Sequence, residues 1–161
     1  MSKPAVYLET SVVSYATSRL SRDLIVAGRQ QITLEWVALR AKPYDLFVSQ
    51  LVVAEASRGD EHAARERAAF LHGIPLLATT DAAGRLAAEL VERRAVPRKA
   101  AEDALHIAIA SVHGVEYLLT WNCKHIANAT MRQAIEHVCR EAGYEPPVIC
   151  TPEELINDQN D

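Results

Sequence analysis

Five short apolar runs punctuate the chain: Ala5-Val6-Tyr7-Leu8, Leu46-Phe47-Val48, Pro75-Leu76-Leu77, Tyr117-Leu118-Leu119 and Val148-Ile149-Cys150. None alternates apolar with polar residues, as a strand with one wet face would. Each is strand-sized and apolar throughout, which fits parallel strands covered by helices on both faces of a sheet. The longer amphipathic and alanine-rich stretches between the runs supply those helices. The expected fold is therefore α/β: a three-layer α/β/α sandwich around a central, mainly parallel sheet of four to five strands, with right-handed crossovers.

The helical stretches carry recognisable stops. Ile25, Ile32, Trp36 and Leu39 place an apolar face on a helix from about Arg22 to Arg40, which Lys42-Pro43 ends. Gln50 to Ser57, with Ser49 as N-cap, and Glu61 to Leu71, closed by His72-Gly73, form two shorter helices. Thr80 to Arg94 and Arg98 to Val112 are split at Val96-Pro97, because proline lacks the amide a continuing helix needs. The last helix runs from about Asn128 to Glu141 and ends at Gly143. A length of 161 residues suits one core, so 1–156 is expected to be a single domain and 157–161 a flexible tail.

Composition narrows the function. With 49% hydrophobic and 24% charged residues the chain is neither disordered nor a disulfide-stapled miniprotein. Its 17 basic and 21 acidic side chains leave a net charge of -4, so it is not a basic domain that holds nucleic acid by charge alone. Three cysteines without paired spacing, Cys123, Cys139 and Cys150, argue against a zinc or redox motif and fit a reducing compartment. The first apolar run is much shorter than a signal-peptide core, and no run approaches membrane-spanning length. A cytoplasmic protein without a membrane segment is expected.

In parallel sheets, ligands bind beyond the carboxyl ends of the strands. Those ends carry Glu9-Thr10-Ser11, then Ser49 with Glu55, then Thr120-Trp121-Asn122. Glu102-Asp103 lies early in the helix that leads to the fourth strand. Glu9 directly follows a buried run, Glu55 is embedded in Leu51-Val52-Val53-Ala54-Glu55-Ala56, and Asp103 sits among Ala100, Ala101, Ala104 and Leu105. Half-buried acids are costly unless paired or bound to a cation. No basic residue stands at an obvious partner spacing for Glu9. Converging oxygen side chains at one sheet edge suit a hard divalent cation, Mg²⁺ or Mn²⁺, able to activate water and neutralise a phosphate.

These segments resemble the PIN-domain proteins of the VapC-like group, the ribonuclease toxins of type II toxin-antitoxin systems. The resemblance runs from Val6 to about Leu155. It is carried by Val6 to Val13, by Ser49 with Val53-Ala54-Glu55, by Ala101 to Ala108 and by Leu118 to Ile126. It implies a PIN-like sandwich and a Mg²⁺- or Mn²⁺-dependent endoribonuclease. Glu9, Glu55 and Asp103 would be its acids and metal ligands, Asn122 the fourth catalytic position, and Thr10 or Ser11 the hydroxyl that orders the site. Thr120 and Lys124 are further candidates for ordering the site or touching substrate. It also implies an RNA substrate, a cognate antitoxin protein and a homodimer. Two positions depart from the family pattern: Glu9 stands where aspartate is usual, and Asn122 where aspartate is frequent. The lost charge at Asn122 leaves one well-held ion as the expectation.

Blander roles compete. Glu102, exposed and four residues before His106, suits a salt bridge or helical hydrogen bond, and Asp103 alone would suit a helix dipole. The six histidines include no HxxxH pair, so packed or solvated roles suit them, although His106, one turn after Asp103, is placed to border the site. Trp121 suits a core lid better than a base-stacking platform. Arg93-Arg94, Arg98-Lys99 and Lys124 suit solvated positions as well as phosphate contacts. At the level of the whole protein, the alternatives are a PIN-fold module that binds RNA or a protein without cleaving, and a phosphatase with an aspartyl nucleophile. The second is disfavoured because the first strand ends in Glu-Thr with no Gly-rich loop after it.

Overall fold

The computed structural model describes residues 2–157; of the expected tail, 158–161 lies outside the described residues. All five apolar runs are strands: β1 (Ala5–Leu8), β2 (Asp45–Ser49), β3 (Leu76–Leu77), β4 (Tyr117–Leu119) and β5 (Val148–Cys150). They form one sheet in the order β3-β2-β1-β4-β5. Every pairing is parallel. The sheet is thus parallel throughout and has all five strands.

Among the described residues seven α-helices flank it: α1 (Thr10–Thr17), α2 (Leu24–Glu35), α3 (Gln50–Ala56), α4 (Glu61–Leu71), α5 (Asp81–Glu92), α6 (Ala101–Val112) and α7 (Ala129–Glu141). Helices α1 to α4 pack among themselves, and α5 packs on α6 and α7. This grouping follows from the chain's path. From the central β1 it steps outward to β2 and β3, then returns past β1 to β4 and β5. Right-handed crossovers therefore place the early helices on one face and the later ones on the other. The strand order reverses between β1 and β4, where a parallel sheet opens a crevice at its carboxyl edge.

Most helix ends lie where the sequence puts them. Ser49 caps α3 by accepting the Val52 amide, Thr80 caps α5 through the Ala83 amide, and Asn128 caps α7 through the Thr130 amide. Gly73 and Gly143 close α4 and α7 with φ of 82° and 93°, a conformation glycine adopts without a Cβ penalty. Pro97 opens a 3-10 turn, Arg98–Ala100, which leads into α6.

Two expectations between β1 and β2 need correction. The sequence places no helix over Thr10–Thr17, yet α1 is there, capped by the Glu9 carboxylate at the Ser11 amide. The helix from Arg22 to Arg40 is instead α2 followed by a π-helical turn, Trp36–Arg40. The expected apolar face is buried only in part: Trp36 is in the core and Ile32 packs against it, while Ile25 and, past the widened turn, Leu39 face outward. Ile25 and Leu39 are 70% and 69% exposed, while the buried residues are Gln30, Thr33 and Trp36. Gln30 can be buried because its amide donates to the Arg19 carbonyl and its oxygen accepts the Ser21 amide. Thr33 donates to the Arg29 carbonyl and accepts from Trp121 Nε1, and Trp36 Nε1 donates to the Leu155 carbonyl. Among the described residues no helix is long and apolar enough to cross a membrane.

Candidate active site

The ladder pairing Leu8 with Leu119 continues one step past the strands, where the Glu9 amide donates to the Leu119 carbonyl at 3.0 Å. Glu9 and Thr120 therefore lie side by side at the crevice. Glu9 is only 5% exposed and folds back over the first turn of α1. Its Oε2 accepts the Ser11 amide at 2.7 Å, and its Oε1 accepts the hydroxyls of Ser11 and Thr120, each at 2.7 Å. The side chain thus reaches both its own helix and the neighbouring strand end. Ser11 Oγ in turn accepts the Trp121 amide at 2.8 Å, and Thr120 Oγ1 accepts the Asn122 amide at 2.9 Å. All these donors are uncharged, so the hydrogen bonds make burial of Glu9 tolerable without cancelling its charge.

Glu55, on the next strand's helix, is held differently. Its Oε1 accepts Thr10 Oγ1 at 2.6 Å and lies 2.5 Å from His106 Nε2. His106 is 1% exposed, and its Nδ1 lies 2.7 Å from the Tyr7 hydroxyl. That hydroxyl is also 2.7 Å from Ser49 Oγ. Burial pushes the Glu55 carboxyl up, but the hydrogen bond and charge of His106, with the Thr10 hydroxyl, outweigh it and hold the carboxyl below its usual range. Burial also raises the Tyr7 hydroxyl well above its ordinary value, so it is protonated.

Asp103 occupies the first turn of α6 and is raised above its usual range, chiefly by burial and then by the Glu9 charge. Asn122 hydrogen-bonds it, and His125 Nδ1 lies 3.3 Å from its Oδ2; both oppose the rise. Asn122 does not turn its carbonyl oxygen to the acids as a ligand there would. That oxygen accepts the His125 amide at 3.0 Å, which leaves the amide nitrogen for Asp103.

The fold thus brings Glu9, Ser11, Thr120, Asp103 and Asn122 into one neighbourhood, with Glu55 and Thr10 joined to it through β1 and α1. The two candidate hydroxyls divide the work: Ser11 holds Glu9 and Thr10 holds Glu55. Lys124 is exposed on the loop after β4, and its ammonium contacts none of the acids among the described residues. Glu102 pairs with Arg58 through two bonds of 3.0 and 3.1 Å rather than with His106. Trp121 is buried under the Arg29 guanidinium, 5.3 Å from the ring centroid, and is not a free stacking platform.

Tyr7 and His106 are the residues that sequence reasoning undervalued. Packing or solvation suits most histidines, but this one lies in the site's hydrogen-bond network. A signal exists in hindsight: a tyrosine inside a fully apolar strand must find a partner for its hydroxyl.

Among the described residues no group of three or more His, Cys, Asp or Glu side chains is placed to hold a metal ion. The donors are nonetheless of the right kind. Glu9 and Asp103 are hard oxygen ligands that repel one another across a low-dielectric crevice, a strain that a divalent cation would relieve. Glu55 is already balanced by His106. The residues fit a hard cation as a pair, Glu9 with Asp103, more closely than as the expected trio.

No family model and no curated protein matches this chain. Among solved structures it is similar to a chain in the crystal structure of VapBC2 from Rickettsia felis bound to a DNA fragment from their promoter. The match covers 91% of this chain and 98% of that one, with a TM-score of 0.58 and 14% sequence identity. At that identity the likeness concerns the fold, and the chain has a VapC-like PIN fold.

Proposed function

We propose that this PIN-fold protein is a Mg²⁺- or Mn²⁺-dependent endoribonuclease, the toxin of a toxin-antitoxin pair. The observation that carries the reading is the arrangement of buried acids at the β1/β4 crevice. Glu9 is satisfied only by uncharged donors, and its charge raises the neighbouring Asp103. Two buried carboxylates, one satisfied by uncharged donors alone and the other raised despite the histidine beside it, are suited to recruit a cation. The cation would in turn admit a phosphodiester that a chain of net charge -4 repels.

Glu9 and Asp103 would hold the ion. When bound, it would supply Lewis acidity toward the phosphoryl oxygens and lower the pKa of a water molecule. The protein's own residues do the rest. Ser11 and Thr120 fix Glu9 from two elements, so its direction is set before substrate arrives. Asn122 and His125 orient Asp103. Glu55, kept ionised by His106 and Thr10, accepts a hydrogen bond from the attacking water; its lowered proton affinity makes it an orienting acceptor more than a proton sink. Lys124, exposed beside the crevice, is free to meet a phosphate further along the strand.

A cognate antitoxin and a homodimer complete the proposal. They draw on the resemblance in sequence, and the antitoxin also on the neighbour, which comes from a VapBC2 complex. One observation favours a second reading, an RNA-binding module without cleavage: no three acids are placed together as ion ligands among the described residues.

One experiment separates the two readings. Purified protein is incubated with single-stranded RNA and Mn²⁺, with and without a chelator, beside the Asp103→Asn variant. Cleavage that stops on chelation and in the variant is the expected result. RNA binding without cleavage would favour the module, and equal cleavage by both proteins would overturn the metal assignment.

A further inference from the structure

We propose that Tyr7 and His106 are positioning residues for Glu55, fixing the orientation of its carboxylate from the interior of the sheet. The proposal rests on the nuclease reading of the site. Its geometry spans β1, the end of β2, α3 and α6. A buried imidazole must satisfy both nitrogens, and His106 does so with Tyr7 at 2.7 Å and Glu55 at 2.5 Å.

Donor and acceptor chemistry fixes the end of the chain that meets Glu55. The Glu55 carboxylate only accepts, so His106 Nε2 carries a proton. Its Nδ1 is satisfied by the Tyr7 hydroxyl, which is in turn hydrogen-bonded with Ser49 Oγ. Ser49 Oγ accepts the Val52 amide at 3.3 Å, as the N-cap of α3. The chain thus leaves α3 at its N-cap, Ser49, and returns to the same helix at Glu55. Thr10 adds a second donor to the same Oε1, at 2.6 Å. Two donors on one oxygen remove the carboxylate's freedom to rotate, so its other oxygen has a fixed direction.

A merely structural network would change stability alone when cut. A positioning network changes the turnover of folded protein. The test compares wild type with Tyr7→Phe, His106→Leu and His106→Gln, whose amide can still donate to Glu55. RNA cleavage with Mn²⁺ is split into kcat and KM, and each protein's fold is checked by circular dichroism. Loss of a supporting partner of this kind lowers activity by about 10- to 100-fold. That loss is expected in kcat for folded His106→Leu, and most of it should be recovered in His106→Gln. Tyr7→Phe should fall between the two, with KM unchanged in all. Wild-type kcat in folded His106→Leu, or no recovery in His106→Gln, would overturn the proposal. Should His106→Leu not fold, Tyr7→Phe decides, and wild-type kcat there would be equally fatal.

A second readout needs no activity. Nitrogen-15 NMR should show a protonated, slowly exchanging Nε2 on His106 whose proton resonance moves in Glu55→Gln. An unprotonated Nε2, or a resonance blind to that substitution, would overturn the positioning role. Wild-type protein that cuts no RNA would overturn the nuclease reading alone and leave the NMR result to decide this one.

Discussion

Glu9 and Glu55 are the same residue type, both at the carboxyl edge of the sheet, yet they tolerate burial by opposite means. Glu9 is wrapped by a backbone amide and two hydroxyls, all neutral. Glu55 faces an imidazole as well as a hydroxyl. Neutral donors satisfy lone pairs but leave the field of the charge intact, and Asp103 registers that field as a raised proton affinity. The histidine beside Glu55 instead lowers the carboxyl's proton affinity and reduces its pull on a cation. One half of the edge is therefore built to attract positive charge, and the other to stay ionised and oriented.

The contrast is most directly broken by comparing Asp103→Asn with Glu55→Gln. Asp103→Asn should weaken Mn²⁺ binding by on the order of a hundredfold, measured by titration calorimetry or spin resonance. It should also raise Tm by a few degrees, because it removes a carboxylate that folds at a disadvantage. Glu55→Gln should do the reverse, lowering Tm and costing far less Mn²⁺ affinity. Equal losses of affinity would mean that the two halves are not distinct.

Ser11→Ala tests the neutral cradle. It removes a donor to Glu9 and leaves the Trp121 amide without an acceptor, so denaturant unfolding should show a loss of about 1–3 kcal/mol. A change under 0.5 kcal/mol, a bound set by ordinary surface substitutions, would show that the cradle does not hold.

The pH dependence separates the halves by sign. Glu55, depressed below its ordinary 4.5, stabilises the folded state above that pH, and the contribution is lost as pH falls through the folded value. Asp103, raised above its ordinary 3.8, stabilises relative to its ionised form at low pH, and that contribution is lost as pH rises through the folded value. In metal-free protein the Tm advantage of Asp103→Asn over wild type should thus grow as pH rises from 3.8, while the deficit of Glu55→Gln should shrink as pH falls below 4.5. Saturating Mn²⁺ should raise the wild-type Tm and erase the first trend. The smallest effect is expected at Glu61→Gln, an exposed partner of Arg65: at most about 1 kcal/mol, with cleavage unchanged.

The strands were legible in the sequence because burial on both faces of a parallel sheet demands apolar residues at every position, and Val6, Leu8, Leu118 and Leu119 meet that demand. Strand ends then led to Glu9, Ser49 and Thr120 without further information. Helix α1 was not legible, since Val12 and Val13 favour strands and its start depends on a glutamate folding back as a cap. The buried face of α2 was legible only at Ile32 and Trp36, because polar Gln30 and Thr33 complete it with partners that lie in a loop and in Trp121. His106 was undervalued for a related reason: its partner Tyr7 is 99 residues away, and no local spacing announces the pair.

Ser11 Oγ has one further consequence. Through it the Trp121 amide and the Glu9 carboxylate share a single atom, so the loop after β4 cannot lift away at Trp121 without breaking a bond to the hydroxyl that holds the acid. The exchange rate of that one amide proton with solvent is therefore a clock for the opening of the crevice. It can be read residue by residue in a protein that is doing no chemistry at all.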